Sequence, residues 1–258
     1  VLASLTILYR RERMIRGRYV GLDHLWDSWR RLLHVGMPAT AANLLLPITF
    51  AAITAMVAAY GPESVAGFAV ASRVESIVLI VVFAVQASVG PIVGQNLGAG
   101  HMGRVRGAID LSNRFLLIYT ILFAAVLFVV ARTLVSIFDN NPVVVDTAVA
   151  YLHIVPITHG AFGLMMVAVG SFNSLGRPMP AVVLTFVKFF VVYIPLAFIL
   201  SRLVGITGIF WANAVSHLLF GVGSLVWLRR ELNALEAETR LAGRPPSVEF
   251  PAPSESNF

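Results

Sequence analysis

Three ionisable residues stand inside or at the edge of long apolar runs, where a charge is costly and therefore informative: Glu75, His159 and Lys188. Glu75 is the only acid close to the interior of such a run, so it is the candidate for a carboxylate that takes up a proton within a membrane. Its alternative role is a local ion pair with Arg73 at the outer interface, because Gln95 would lie about 30 Å further along the same helix. The imidazole of His159 titrates near neutral pH and suits either proton coupling or a hydrogen bond within a bundle. Lys188 stands about 14 Å along a helix that starts at Met179, a depth its four methylenes barely span, so a cavity-facing or paired ammonium is expected.

Polar and bulky residues recur around these three at helical spacing. Asn43, Phe50 and Thr54 share a face beside Pro47, and Gln86 returns to the face of Glu75. Tyr151, Thr158, Phe162 and Met165 form a narrow stripe with His159 at its edge and Pro156 as a kink, while His153 lies on another face. Such stripes either line a solute cavity or bond a neighbouring helix, and for Asn43 and Thr54 both readings stand. HExxH, GxSxG and Walker A sequences are absent, as is Cys. No catalytic residue, metal ligand or cofactor is therefore expected, and the chain reads as not an enzyme. Helix breakers and sparse intramembrane polar groups instead mark a transport path.

The elements that must position these residues follow from composition. Of 258 residues, 58% are hydrophobic and 12% charged, with mean hydropathy +0.83. A soluble domain is about a quarter charged, so a soluble enzyme is excluded. Six apolar runs, roughly 36–60, 65–96, 115–138, 147–173, 179–200 and 203–228, are each long enough to cross a bilayer. Backbone groups in lipid must bond internally and strand alternation is missing, so the fold class expected is all-α: a polytopic bundle of six transmembrane helices.

Charge orients the bundle. Of the 19 cations, fifteen fall on one side of the runs, among them Arg10, Arg11, Arg104, Arg106, Arg177, Arg229 and Arg230. The other side has Arg73, Arg132 and Arg202. The positive-inside rule then puts both ends in the cytoplasm of a multi-pass plasma-membrane protein, expected in a bacterial inner membrane. The lipid bilayer, not nucleic acid, accounts for the net charge of +6. Residues 1–9 are apolar but too short to span, and are expected to end a preceding transmembrane helix, which would make the chain a fragment. Residues 10–35, with Trp26 and Trp29, suit a cytoplasmic linker that is partly an amphipathic helix. Residues 36–230 form the six-helix lobe. Residues 231–258 are expected to be a cytoplasmic tail, largely disordered and rich in Pro beyond Leu241.

Four segments carry a family resemblance. QASVGPIVGQNLGAG, residues 86–100, followed by Arg104 and Ala108, resembles the eighth helix and following loop of multidrug and toxic compound extrusion (MATE) transporters. Gly36, Met37 and Pro38 resemble the start of the seventh helix. Phe172, Asn173, Leu175, Gly176, Arg177 and Pro178 resemble the loop between the tenth and eleventh, and GITGIFW, residues 205–211, the start of the twelfth. The match runs over about 36–230 and corresponds to the carboxy-terminal six-helix lobe of a twelve-helix protein.

The resemblance implies secondary active efflux of amphipathic, often cationic organic compounds in exchange for H⁺ or Na⁺, by rocking alternating access. It also implies a partner, the missing amino-terminal six-helix lobe. Asn43, Phe50, Thr54, Gln86, Tyr151, Thr158, His159, Phe162, Met165 and Lys188 would line the substrate cavity, with Glu75 and His159 available for proton coupling. Pro38, Pro47, Pro91, Gly94, Gln95, Asn96, Gly98, Gly100, Pro156, Asn173, Gly176, Pro178, Gly205 and Gly208 would shape or bend the helices. The sodium-coupled branch uses carboxylates in the seventh and tenth helices, yet residues 36–60 and 147–173 hold no Asp or Glu. H⁺ coupling through an Asp of the absent first helix is the preferred expectation. A lipid-linked oligosaccharide flippase of the same superfamily would call for more cavity cations than Lys188; an intramembrane enzyme and a purely structural subunit are more distant alternatives.

Overall fold

The structure is a computed structural model that describes Trp26, Trp29 and residues 44–242. Asn43, Pro38, the linker apart from the two Trp, and residues 243–258 lie outside the described residues. Ten helical pieces follow one another: α1 (Leu44–Ala58), α2 (Pro62–Gly98), α3 (Met102–Ser136), α4 (Pro142–Ile154), a 3₁₀ turn (Pro156–Thr158), α5 (His159–Ser174), α6 (Pro178–Phe186), a π-helical stretch (Val187–Tyr193), α7 (Ile194–Val204) and α8 (Ile206–Ala242). Five spans, with α4–α5 and α6–α7 counted as one each, are long and apolar enough to cross a membrane, and α1 is a shorter apolar helix. The all-α reading holds, with no strand among the described residues.

The helices outrun the apolar stretches that announced them. α2 has 37 residues, a rise of about 55 Å against a hydrocarbon core about 30 Å thick. The last helix also runs on to Ala242, so residues 231–242, expected within a disordered tail, are helical. Ion pairs give the reason. Arg106 bonds Glu236 at 2.9 Å and Asn233 at 2.8 Å, and Arg177 pairs with Glu231 and, at 3.9 Å, with Glu238. The extension is thus anchored to the start of α3 and to the α5–α6 turn.

Local sequence sets the breaks. Pro62, Pro142 and Pro178 open their helices, where a missing N–H costs nothing, and the Asn141 side chain caps α4 by accepting from the Val143 N–H at 2.9 Å. Gly100 (φ 73°) and Gly176 (φ 72°) close α2 and α5 in left-handed geometry, with His101 N–H bonded to Asn96 O and Arg177 N–H to Phe172 O. These six-to-one closures give both motif glycines a structural role.

Burial singles out the central span. In α4–α5, 78% of the apolar window is buried, against 22% in α2 and 28% in α3 and in α6–α7. The outer helices therefore turn large apolar faces outward, as lipid contact requires, and α5 packs between α2, α3, α6 and α8. Small residues permit that closeness. A Cβ placed on Gly170 would lie 3.0 Å from the Gln86 carbonyl oxygen, one on Gly67 would run into the Val144 carbonyl, and one on Gly221 into the Ala161 carbonyl.

Gly221→Ala should therefore destabilise the protein by about 1–3 kcal/mol through overpacking against the α5 backbone. Gly223→Ala, with nothing within 4 Å, should leave stability unchanged. Thermal unfolding in detergent separates the two; equal midpoints would contradict the α5–α8 contact.

Candidate functional site

A cavity of about 390 Å³ opens among α1, α2, α4, α5, the π stretch and α8. This is within the range of small-molecule sites. Phe50, Phe68, Phe83, Tyr151, Phe162, Phe189 and Tyr193 supply aromatic walls, and Thr49, Glu75, Asn213 and His217 supply polar groups. The rings interlock: Phe68 stacks on Phe50 at 5.5 Å between centroids and meets Tyr151 edge-on at 5.5 Å. Phe83 meets Phe162 edge-on at 6.4 Å. Offset and edge contacts of this kind hold an apolar wall in one shape.

Two helix irregularities aim the side chains. Pro156 has no N–H to bond the Leu152 carbonyl, and the chain tightens into the 3₁₀ turn. Three residues at 120° instead of 100° each rotate α5 by about 60° relative to α4. Of the expected stripe, Tyr151 and Phe162 face the cavity, while Thr158 and Met165 are buried outside its lining. Pro195 likewise cannot serve the Val191 carbonyl, and the helix widens into the π stretch that contains Lys188.

A polar cluster closes one side of the cavity. The Tyr151 hydroxyl donates to Glu75 Oε2 at 2.7 Å, and His159 Nε2 lies 3.1 Å from Glu75 Oε1 without the alignment of a hydrogen bond. His159 is fully buried. His217 Nδ1 stands 3.0 Å from the Thr158 hydroxyl, whose own proton goes to the Val155 carbonyl at 2.8 Å. The His159 and His217 rings are 5.5 Å apart.

Lys188 completes the cluster from behind the wall. It has no exposed surface, its Nζ has no hydrogen-bond partner among the described residues, and it sits over Phe189 at 3.8 Å, Phe162 at 5.1 Å and Tyr193 at 5.9 Å. Snorkelling to the interface is therefore not its role.

The interface ion pair considered for Glu75 is not formed. Arg73 is exposed, whereas Glu75 turns inward to Tyr151 and His159. Other expected residues also sit apart from the cavity. Thr54 bonds the Phe50 carbonyl at 2.8 Å and is not among the cavity-lining residues. Gln86 is packed on Gly170, and His153 meets the Phe128 carbonyl at 3.2 Å on an outer face. Pro47 and Phe50 do line the cavity. Among the motif residues, Asn96 bonds the Ile92 carbonyl, Gln95 and Gly98 are exposed, Gly94 faces Ser174 and Pro91 interrupts α2. Gly205 turns at φ 77°, and Gly208 packs on the Leu200 carbonyl. Sequence reasoning missed Asn213 and His217, although two polar residues four apart in an apolar run are a readable signal. It also missed Phe68, Phe83, Phe189 and Tyr193, whose types do not distinguish a cavity wall from a lipid face.

The MatE family model matches residues 38–199. The chain belongs to this family. Among curated relatives of this MatE chain, the FAD transporter of Shewanella oneidensis is 31% identical over 90% of the chain and 52% of its own length. The probable multidrug resistance protein YpnP of Bacillus subtilis is 24% identical over 79% and 46%. Among solved structures, the Vibrio cholerae MATE transporter VcmN in its bent form superposes with TM-score 0.74 at 29% identity, over 81% of this chain and 48% of that one. The chain spans about half the length of the curated relatives it matches.

Tyr151→Phe removes one of the two groups that hold Glu75 and should cost about 1 kcal/mol. Arg73→Ala should stay within about 0.5 kcal/mol of the parent. The thermal midpoints of the two variants check which residue Glu75 depends on.

Proposed function

We propose that the chain is one half of a secondary active exporter, working against a second six-helix lobe by rocking alternating access and moving amphipathic, aromatic, often cationic organic compounds in exchange for H⁺. Membership of the MatE family supports export as the activity. The observation that carries the substrate class is the cavity wall, seven rings and few hydrogen-bonding groups, which takes up planar apolar compounds without reading a fixed polar pattern. Glu75, the one carboxylate among the lining residues, with a tyrosine hydroxyl and an imidazole on it, supports the proton as coupling ion. A coupling carboxylate of the partner lobe would share that task. The cation-rich rim around Arg104, Arg106, Arg177 and Arg229 supports a cytoplasmic orientation for both ends in a plasma membrane of bacterial type.

A second reading replaces the lipophilic cation by a flavin dinucleotide. The Shewanella relative's name suggests it, and the buried ammonium of Lys188 behind the aromatic wall would favour an anionic group.

Transport by the intact protein in inverted vesicles tests both. Under an imposed pH gradient, efflux of a lipophilic dye cation such as ethidium is expected, lost on Glu75→Ala and reduced by His159→Ala or Lys188→Ala. Phe162→Ala should weaken dye affinity by about tenfold, the worth of one aromatic contact. Transport of FAD and not of dye would select the second reading, and Na⁺-driven, pH-insensitive efflux would sink the proton scheme.

A further inference from the structure

Six of the seven rings that line the cavity fall into two groups that differ in what lies on them. Phe162, Phe189 and Tyr193 line the cavity and also cover Lys188 Nζ, which stands 5.1, 3.8 and 5.9 Å from their centroids. Lys188 itself is fully buried and outside the lining. Phe50, Phe68 and Tyr151 form a contiguous group by stacked and edge contacts, and the Tyr151 hydroxyl donates to Glu75 at 2.7 Å. Among the described residues no cation lies over any of these three rings.

An aromatic face attracts a cation through its quadrupole, and the attraction serves a substrate only where no fixed cation opposes it. A cation brought against Phe189 from the cavity would stand about 8 Å from the ammonium, twice the 3.8 Å between Nζ and the ring centre. With a ring instead of water between them, two like charges at that spacing change an affinity by about tenfold or more. For an anionic planar group the sign reverses, and the same ammonium draws it to the cavity side of these rings. Phe50, Phe68 and Tyr151 carry no such bias.

We propose that Lys188 is a specificity-determining residue that acts through the rings over it, making Phe162, Phe189 and Tyr193 a cation-excluding face of the cavity. A planar aromatic cation is thereby confined to Phe50, Phe68 and Tyr151, and a planar aromatic anion is held over Phe162 and Phe189. The ammonium touches neither substrate. Its lack of a hydrogen-bond acceptor among the described residues fits this role, because a charged acceptor beside it would cancel the field felt beyond the rings. The inference rests on reading the cavity as the substrate site, and extends that reading from the aromatic class of substrate to where each charge can sit.

Three pyrenes that share one ring system and bear a trimethylammonium, a hydroxyl or a sulfonate test this by equilibrium binding to the intact protein in detergent, read as energy transfer from its tryptophans. Lys188→Met removes the charge and keeps an unbranched side chain under the rings. It should raise the ratio of cation to anion affinity about tenfold and leave the hydroxyl compound within about twofold of the parent. Lys188→Gln provides the same comparison should Met pack poorly. Phe50→Ala should weaken the cation more than the anion. A cation held more tightly also leaves more slowly, which agrees with the reduced dye efflux expected of Lys188→Ala. Equal shifts of all three affinities, as a purely structural role would give, an unchanged ratio, a ratio shifted toward the anion, or equal weakening of both charged probes by Phe50→Ala would each overturn the proposal. Failure of the parent to bind any of the three pyrenes would overturn the cavity as substrate site and this inference with it. Charge-dependent binding in a protein that moves no dye or flavin would count against export alone and leave this inference standing.

Discussion

Lys188 carries an ammonium sealed from water, and the cost of keeping it there governs the arrangement of the helices around it. A cation–π contact in a desolvated site returns about 2 kcal/mol, while removing an ion from water costs several kcal/mol even after relaxation. The three rings over Nζ therefore reduce the cost without cancelling it. Glu75 is the one carboxylate lining the adjoining cavity, which α2 and the π stretch share, and through Tyr151 and His159 it ties α2 to the central span.

The two breaks in helical geometry follow from the same need. The 3₁₀ turn at Pro156 lies between the two halves of the central span: Tyr151 before it and Phe162 after it line the cavity, while His159 meets Glu75 and Thr158 meets His217. The π stretch does the equivalent for Lys188, since its wider turn brings residue 188 beneath the rings at 189 and 193 of its own helix. Both irregularities come from prolines that withhold one N–H each, a modest loss that neighbouring turns in a packed bundle absorb.

These irregularities also explain what was legible in the sequence. Hydropathy and the obligation of backbone groups to bond in lipid were enough for the all-α bundle and its broken fourth span, because those depend on composition over about twenty residues. Lys188 and His159 could be singled out as buried, since charge within an apolar run has few explanations. Their partners could not. Glu75 looked like half of a local ion pair with Arg73, because the groups it meets instead, Tyr151 and His159, are distant in sequence. Thr158, Met165 and Gln86 looked cavity-facing because a shared helix face was taken to be a shared cavity. Residues 231–242 looked like tail because their charges suit water equally well as an exposed helix, and the long-range pairs of Glu231 with Arg177 and Glu236 with Arg106 have no local signature.

Charge is used in opposite ways at the two levels of the lobe. At the rim it is abundant and paired side by side: Arg106 with Glu236 and Arg177 with Glu231 are partly exposed pairs, each worth little alone in water. Together they fasten the end of α8 across two turns. In the interior charge is scarce, and acid and ammonium have separate neighbours: Tyr151 and His159 meet Glu75, and three rings cover Lys188 Nζ. A tight pair buried without water would leave one uncompensated charge whenever its partner was removed, a cost of several kcal/mol that groups with other neighbours do not incur.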